Sequence, residues 1–336
     1  MDVAKLAGVS HQTVSRVLNN HPSVRPATRS RVQSAIDQLG YRPSSAARTL
    51  ATGHSSTFGI LMVNGTSFGP SNLVVSIGMA TQERGYFSSI APVATFTAAA
   101  THQAIDQLVN QGVEGIVAVA PVTTVAQALD AYDIPCPIII NAARLEVPES
   151  SQARYVYIDQ VQGTKAAIDH LIGLGHQKIW HIAGPDNWYD AIDRRETYVN
   201  CMTTAGYSPL VLPAAGWTTN RGYEVGKKVA SAVLAKNGPT AVFSVNDEIA
   251  VGLYRALWEA GVQVPDDVSV VGFDDSQIAN YLVPRLTTVR QPFVELGRAS
   301  LGALIETLEH GGRSDLPRVA AVLEPELIVR DSVAQR

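Results

Sequence analysis

The sequence predicts an α-helical helix-turn-helix head joined to an α/β core of two lobes, and three observations carry that prediction. The chain has 336 residues, more than one ordinary core at roughly 100–200 residues per domain. Its charge is unevenly divided. In the first 50 residues Lys5, Arg16, Arg25, Arg29, Arg31, Arg42 and Arg48 face only Asp2 and Asp37, a net of +5, so the remainder must carry −9 to give the overall −4. From residue 57 onward, apolar strand-like runs alternate with helical stretches, the rhythm of a parallel sheet with crossover helices.

Composition narrows the class. Hydrophobic residues make up 46% and charged residues 17%, and no apolar run approaches the roughly 20 residues of a membrane span. The start lacks the basic-then-apolar order of a signal peptide, so a cytoplasmic protein without a membrane partner is expected. Cys136 and Cys201 are the only cysteines. Neither has a His or Cys at ligand spacing, so buried thiols are expected rather than a disulfide scaffold or a metal site. A basic head on an acidic remainder points to a polyanion-binding unit on a separate sensor.

In the head, Val3, Ala4, Ala7, Val9, Val14, Val17 and Leu18 recur at helical spacing on either side of Gly8, so two short helices share one small core. Gly8 suits a positive-φ turn, and Ser10 is placed to cap the second helix by accepting from the Thr13 N–H. His11, Gln12, Ser15, Arg16 and Asn19 are left outward, the donor and acceptor types that read base edges in a major groove. A third helix follows Pro26, with Val32, Ala35, Ile36 and Leu39 inward and Gly40 ending it. Residues 44–51, SSAARTLA, form a helix-prone island between breakers, too short to be a stable helix alone. A plain linker is the alternative.

The string DVAKLAGVSHQTVSRVLNN, followed by VRPATRSRVQSAIDQLGYRPSSAARTLATG, resembles the DNA-binding head and hinge of the lac repressor/galactose repressor (LacI/GalR) family. The resemblance implies that His11, Gln12 and Arg16 read bases while Ser10, Thr13, Ser15 and Asn19 lie near phosphates. It also implies a hinge helix that orders over DNA, with Ala47 facing the minor groove and Leu50 wedging a base step. Two departures stand out. The family usually carries several residues before Met1-Asp2, so a frayed first helix or an upstream start is expected. Arg25 occupies the usual cap of helix 3, where Arg has no acceptor to offer.

The core runs TFGILMV, YFSSIAPV, GIVAVAP, PIIINA, YVYID, KIWHIAGP, LVLPA, AVFSV and VSVVGF each precede a helix-like segment. Nine such units exceed one comfortable sheet, so two lobes are expected. No G-x-G-x-x-G, G-x-x-x-x-G-K-[ST] or H-E-x-x-H is present, so neither a cofactor nor catalysis is expected. The family resemblance continues to about residue 331 through HLIGLGHQKIWHIAGP, SVNDEIAVGLYRAL, DVSVVGFDDSQIANYLVPRLTTVRQPFVELGRASL and PELIVRDS. It implies a periplasmic-binding-protein-like core whose chain crosses between lobes near residues 156–160, 287–292 and 320–323.

The expected organisation is therefore a head at 1–43, a hinge at 44–54 and a core at 55–336. One lobe comprises about 55–156 and 290–320, the other about 157–288 and 321–332. By the same resemblance Arg194, Asn246 and Asp274 are the hydroxyl-binding set of a sugar site, with Gln291 at a crossing and Trp217 as a stacking wall. Phe68 and Pro70, in the loop after the first strand, and Asn141, where the family often has Asp, face the cleft from the other lobe. Thr197 stands where the family usually has Gly beside that Arg. Each residue has a plainer reading: a helix cap for Asn246-Asp247, an Asx turn for Asp274-Asp275, a surface pair of Arg194 with Asp190 or Glu196, and core for Trp217.

The resemblance implies a repressor whose affinity for a palindromic operator is controlled by a mono- or disaccharide, inducer by default and co-repressor as the alternative. One head buries few bases, so a homodimer is expected. No apolar heptads follow PELIVRDS, which favours a dimer over a tetramer. An enzyme on a doubly wound fold and a ligand-transport receptor are the rival classes, disfavoured by the missing catalytic motifs and by the head.

Overall fold

The computed structural model of the chain describes residues 2–18, 21–41, 54–63, 67–143, 151–214, 216–311 and 316–336. Asn19, Ala47, Leu50 and the expected hinge helix lie outside the described residues. Residues 1–56 and 57–336 form two compact units.

The head contains α1 (Asp2–Ala7), α2 (His11–Leu18) and α3 (Pro26–Leu39). Gly8 has φ 63° between the first two, and the Thr13 N–H donates to Ser10 Oγ at 3.2 Å. Arg25 makes no side-chain cap bond, while Gly40 ends α3 at φ 57°. Val3, Ala4, Ala7, Val14, Val17, Val32, Ala35 and Ile36 close the core. Two expected core members do not join it: Leu18 is 38% and Leu39 45% exposed. Each is the last residue of its helix, and three short helices cover only the positions that point at their common centre.

The second unit begins with β1 (Thr57–Val63), α4 (Phe68–Glu83), β2 (Phe87–Val93), α5 (Ala98–Asn110), β3 (Gly115–Val119), α6 (Thr123–Ala131), β4 (Ile138–Asn141) and β5 (Arg154–Ile158). The chain then passes through α7 (Gln160–Gly173), β6 (Ile179–Ala183), α8 (Tyr189–Thr204), β7 (Leu210–Pro213), α9 (Thr219–Leu234), β8 (Ala241–Ser244), α10 (Asp247–Glu259), β9 (Ser269–Asp274) and β10 (Thr287–Arg290). It returns in α11 (Phe293–Glu309) and β11 (Val319–Leu323), and ends its regular structure in β12 (Glu326–Ile328).

The strands form two six-stranded sheets, ordered β11-β5-β4-β3-β1-β2 and β12-β10-β9-β8-β6-β7. Every pairing is parallel except β10 with β12. That exception departs from the expected all-parallel sheet. Between β10 and β12 the chain leaves for the first lobe through α11 and β11 and re-enters the second sheet from the other direction. Three strands, β10 to β12, add to the nine runs. The expected helix after PIIINA is missing among the described residues between β4 and β5.

Three passages join the lobes: after Ile158, at Gln291-Pro292 and at residues 324–325. The last falls beyond the expected 320–323, because β11 stays paired with β5 as far as Leu323. Residues 157–158 and 321–323 thus belong to the first sheet. The lobes have tight interiors of their own. In the second, a Cβ at Gly252 would stand 2.0 Å from Thr219 O and one at Gly222 would stand 2.1 Å from Ile249 O, so glycine alone lets α9 and α10 cross this closely.

Candidate ligand cleft and DNA-facing helix

On α2 the buried Val14 and Val17 fix which side faces out. His11, Gln12, Ser15 and Arg16 are exposed and Thr13 is half-buried. The Ser10 and Thr13 hydroxyls lie 3.0 Å apart. Arg29 is spent internally, donating to His21 O at 2.9 Å.

In the core a cavity of about 50 Å³ lies where the two lobes meet. The first lobe supplies Pro70, Leu73, Asn141, Tyr157 and Phe293, the second supplies Asp190, and Gln160 and Gln291 come from the crossings. Such a volume holds a few waters, so a sugar ring enters only if the lobes or side chains give way. Two backbone bonds clasp the mouth: the Thr123 N–H donates to Asn187 O at 3.0 Å and the Tyr189 N–H to Pro121 O at 2.9 Å.

Of the eight residues expected from sequence, Pro70, Asn141 and Gln291 line the cavity. Phe68 and Pro70 open helix α4 rather than lying in a loop; Pro in a helix's first turn costs no hydrogen bond. Phe68 packs edge-on to Phe293 with centroids 6.1 Å apart. Asn141 donates through Nδ2 to Val156 O and Ser300 Oγ, both at 2.8 Å, and its buried Oδ1 has no partner.

Arg194, Asp274, Asn246 and Trp217 stand one layer behind. Arg194 is 1% exposed and makes no surface pair. Its Nε donates to Gln160 Oε1 at 2.9 Å and Nη1 to Val245 O at 2.6 Å, while the guanidinium lies 3.7 Å from the Phe273 ring centroid. Gln160 Nε2 donates to Gln291 Oε1 at 3.0 Å, and Gln291 Nε2 to Asp274 Oδ1 at 2.7 Å. A relay from Arg194 through Gln160 and Gln291 to Asp274 thus runs through two of the crossings.

Burial pushes the Asp274 carboxyl up, against the pull of Arg194 and with Asp247 adding to the rise. Its backbone sits at φ 116°, a region costing a non-glycine residue about 1–3 kcal/mol. Neighbouring groups hold it there. Asp247 accepts from the Ser276 N–H, Ser276 Oγ and Thr288 Oγ1, and Asp275 is gripped by Arg330 at 2.5 Å and Arg290 at 2.7 Å.

Asn246 does cap a helix, accepting from the Ile249 N–H at 2.9 Å while donating to Trp217 O at 3.3 Å. Trp217 packs against Trp188 with centroids 5.1 Å apart, and its buried Nε1 has no partner. Sequence reasoning missed Gln160, Tyr157 and Phe293. The expected crossings at 156–160 and 287–292 could have signalled Tyr157 and Gln160, while Phe293 lies just past the second.

No described helix is long and apolar enough to cross a membrane, and no three described His, Cys, Asp or Glu could hold a metal. Cys136 and Cys201 are free and half-buried.

A helix-turn-helix unit in one chain with a two-lobed α/β core that holds an interlobe cavity defines a transcription regulator built on a binding-protein scaffold. Residues 1–44 match the family described as bacterial regulatory proteins, lacI family, and residues 168–333 match the periplasmic binding protein-like domain. The chain is 34% identical over 342 residues to the HTH-type transcriptional regulator CelR of Thermobifida fusca, covering 98% of this chain and 96% of that one. It is 30% identical over 305 residues to the lactose operon repressor of Escherichia coli (strain K12), covering 91% and 83%. Among solved structures it resembles the lac repressor dimer bound to operator and the anti-inducer ONPF, with TM-score 0.86, 29% identity, and 99% and 98% of the two chains covered. A CelR–cellobiose complex aligns with TM-score 0.72 and 30% identity over 98% of each chain. The chain belongs to the lacI family of bacterial regulatory proteins.

Proposed function

We propose that the chain is a cytoplasmic, non-enzymatic repressor that binds a palindromic operator as a homodimer and loses or gains that affinity when a mono- or disaccharide enters the cleft. In this reading His11, Gln12 and Arg16 contact base edges, Ser10, Thr13, Ser15 and Asn19 contact phosphates, and Ala47 and Leu50 enter the minor groove. Phe68, Pro70, Asn141, Arg194, Trp217, Asn246, Asp274 and Gln291 form the effector site, with Gln160 added.

The observation that carries the reading is the relay from Arg194 to Asp274. It couples second-lobe side chains to two interlobe crossings, so a ligand that engages Gln291 or Gln160 changes the balance between lobe arrangements. Only a ligand with different affinities for those arrangements can drive such a switch. The test is operator binding by full-length protein in a gel-shift titration, with and without each of a panel of sugars. A sugar that shifts operator affinity supports the reading, whereas binding no tighter to promoter fragments than to random duplex at moderate salt refutes it.

A further inference from the structure

The wall of the cleft formed by α8 carries Asp190, Asp193 and Glu196 at i, i+3 and i+6, a spacing at which like charges repel. Asp190 lines the cavity and Asp193 is 8% exposed. Neither makes a hydrogen bond or ion pair among the described residues. Arg194 offsets them only in part: its one charge also acts on Asp274 and Asp247, and its hydrogen bonds go to Gln160 and Val245. Burial raises both carboxyls, and Asp190 and Glu196 help push Asp193 up to about 7. The positive end of α8 favours a charge at Asp190 in its first turn, but Asp193 lies beyond that turn.

Two independent features mark what is missing. From the opposite lobe Asn141, 5% exposed, lines the same cavity; it has spent its N–H groups, and its acceptor Oδ1 is buried without a partner. Tyr157 also lines the cavity; burial, then the charges of Asp159 and Asp193, raise its phenol. Carboxylates beside an aromatic ring make a seat for an organic cation. A metal ion is not indicated, because no three described ligating groups converge.

We propose that the cleft recognises an effector bearing an ammonium group, an amino sugar within the sugar reading above, with the ammonium on Asp190 and a second donor on Asn141 Oδ1. A neutral polyol satisfies Asn141 but brings the α8 carboxylates no cation beyond the Arg194 charge they share with Asp274 and Asp247. The inference rests on the cleft being the effector site.

Calorimetric titration of the full chain near neutral pH with D-glucosamine against D-glucose, and D-galactosamine against D-galactose, tests it. The expected result is that the amine of at least one pair binds about tenfold or more tightly than its neutral partner. Asp190→Asn removes that preference and Asp193→Asn weakens it, and melting curves of both variants report that the fold is kept. Neutral sugars that bind as tightly as the amines, and shift operator affinity, overturn the proposal while leaving the cleft reading intact. A preference that survives both substitutions also overturns it. No heat from any of the four sugars at about 10 mM, a limit on the order of 3 kcal/mol of binding, overturns the proposal, while the cleft reading stands or falls on the gel-shift panel.

Discussion

Gln160 and Gln291 share a 3.0 Å hydrogen bond although they belong to two different crossings between the lobes, 131 residues apart. Each also holds a charged residue of the second lobe, Gln160 accepting from Arg194 and Gln291 donating to Asp274. The pair therefore ties the direction of both crossings to the charge state of the site behind them.

Removing one member leaves buried polar groups unpaired. Gln160→Ala is expected to destabilise the core by about 1–3 kcal/mol, because Arg194 Nε loses its acceptor, and to change effector affinity as well. Chemical denaturation and calorimetry on the same variant measure both, and an effector affinity within twofold of the parent would argue against the relay.

Asp274→Ala is expected to abolish the response to effector while leaving operator binding. Gel shifts with and without the active sugar read this directly. Because Asp274 is held at φ 116°, Asp274→Gly also relieves backbone strain, so this variant should melt higher than Asp274→Ala.

The clasp at the mouth of the cleft can be opened without touching a helix. Thr123 and Tyr189 are the first residues of α6 and α8, where Pro fits and its missing N–H is not needed by the helix. The preceding Val122 and Trp188 are extended, with ψ of 128° and 122°, as Pro requires. Thr123→Pro and Tyr189→Pro should each remove one interlobe bond, worth about 0.5–1.5 kcal/mol. Faster effector association in stopped-flow measurements, with unchanged far-UV circular dichroism, is the expected outcome.

The pH dependence of stability has a definite sign. Asp193 is raised to about 7, and Asp190 and Asp274 are raised too. The folded state therefore binds protons that the unfolded state releases, and stability rises as pH falls through about 7 towards the ordinary carboxyl range near 4. Burial pushes His181 down to about 3. It costs stability once the unfolded imidazole protonates, below about pH 6.5. The melting temperature of the ligand-free protein should thus climb as pH falls from about 8, and less steeply below about 6.5. Asp193→Asn should flatten the upper limb, and a melting temperature rising steadily between pH 6.5 and 8 would contradict the assignment.

On the head, Gln12→Ala and Arg16→Ala should each cost about 1–3 kcal/mol of discrimination against wrong bases. Leu50→Ala should weaken operator binding more than about tenfold with effector binding intact. Operator affinity should also fall steeply with salt. Competition gel shifts against mutated operators at two ionic strengths check all three.

The head was legible because its instructions are local: Gly8 for the turn, Ser10 for the cap, Val14 and Val17 for the buried side, Gly40 for the stop. The strand rhythm gave the two lobes for the same reason. The misreadings were not local. Leu18 and Leu39 obey the helical period, yet only the size of the three-helix core decides that it ends before reaching them. The direction of β12 depends on β10, about 40 residues earlier, and the limits of β11 on β5, more than 150 residues earlier.

At the cleft, sequence alone named residue types fit to meet hydroxyls, among them Arg194, Asp274 and Gln291, because chemistry follows from side-chain identity. It could not tell that Arg194 is buried without an ion pair, that Gln160 joins it to Gln291, or that Asn141 is left with a bare acceptor. Those facts exist only once distant segments meet, since burial and hydrogen-bond partnership belong to the packed chain and not to any stretch of it.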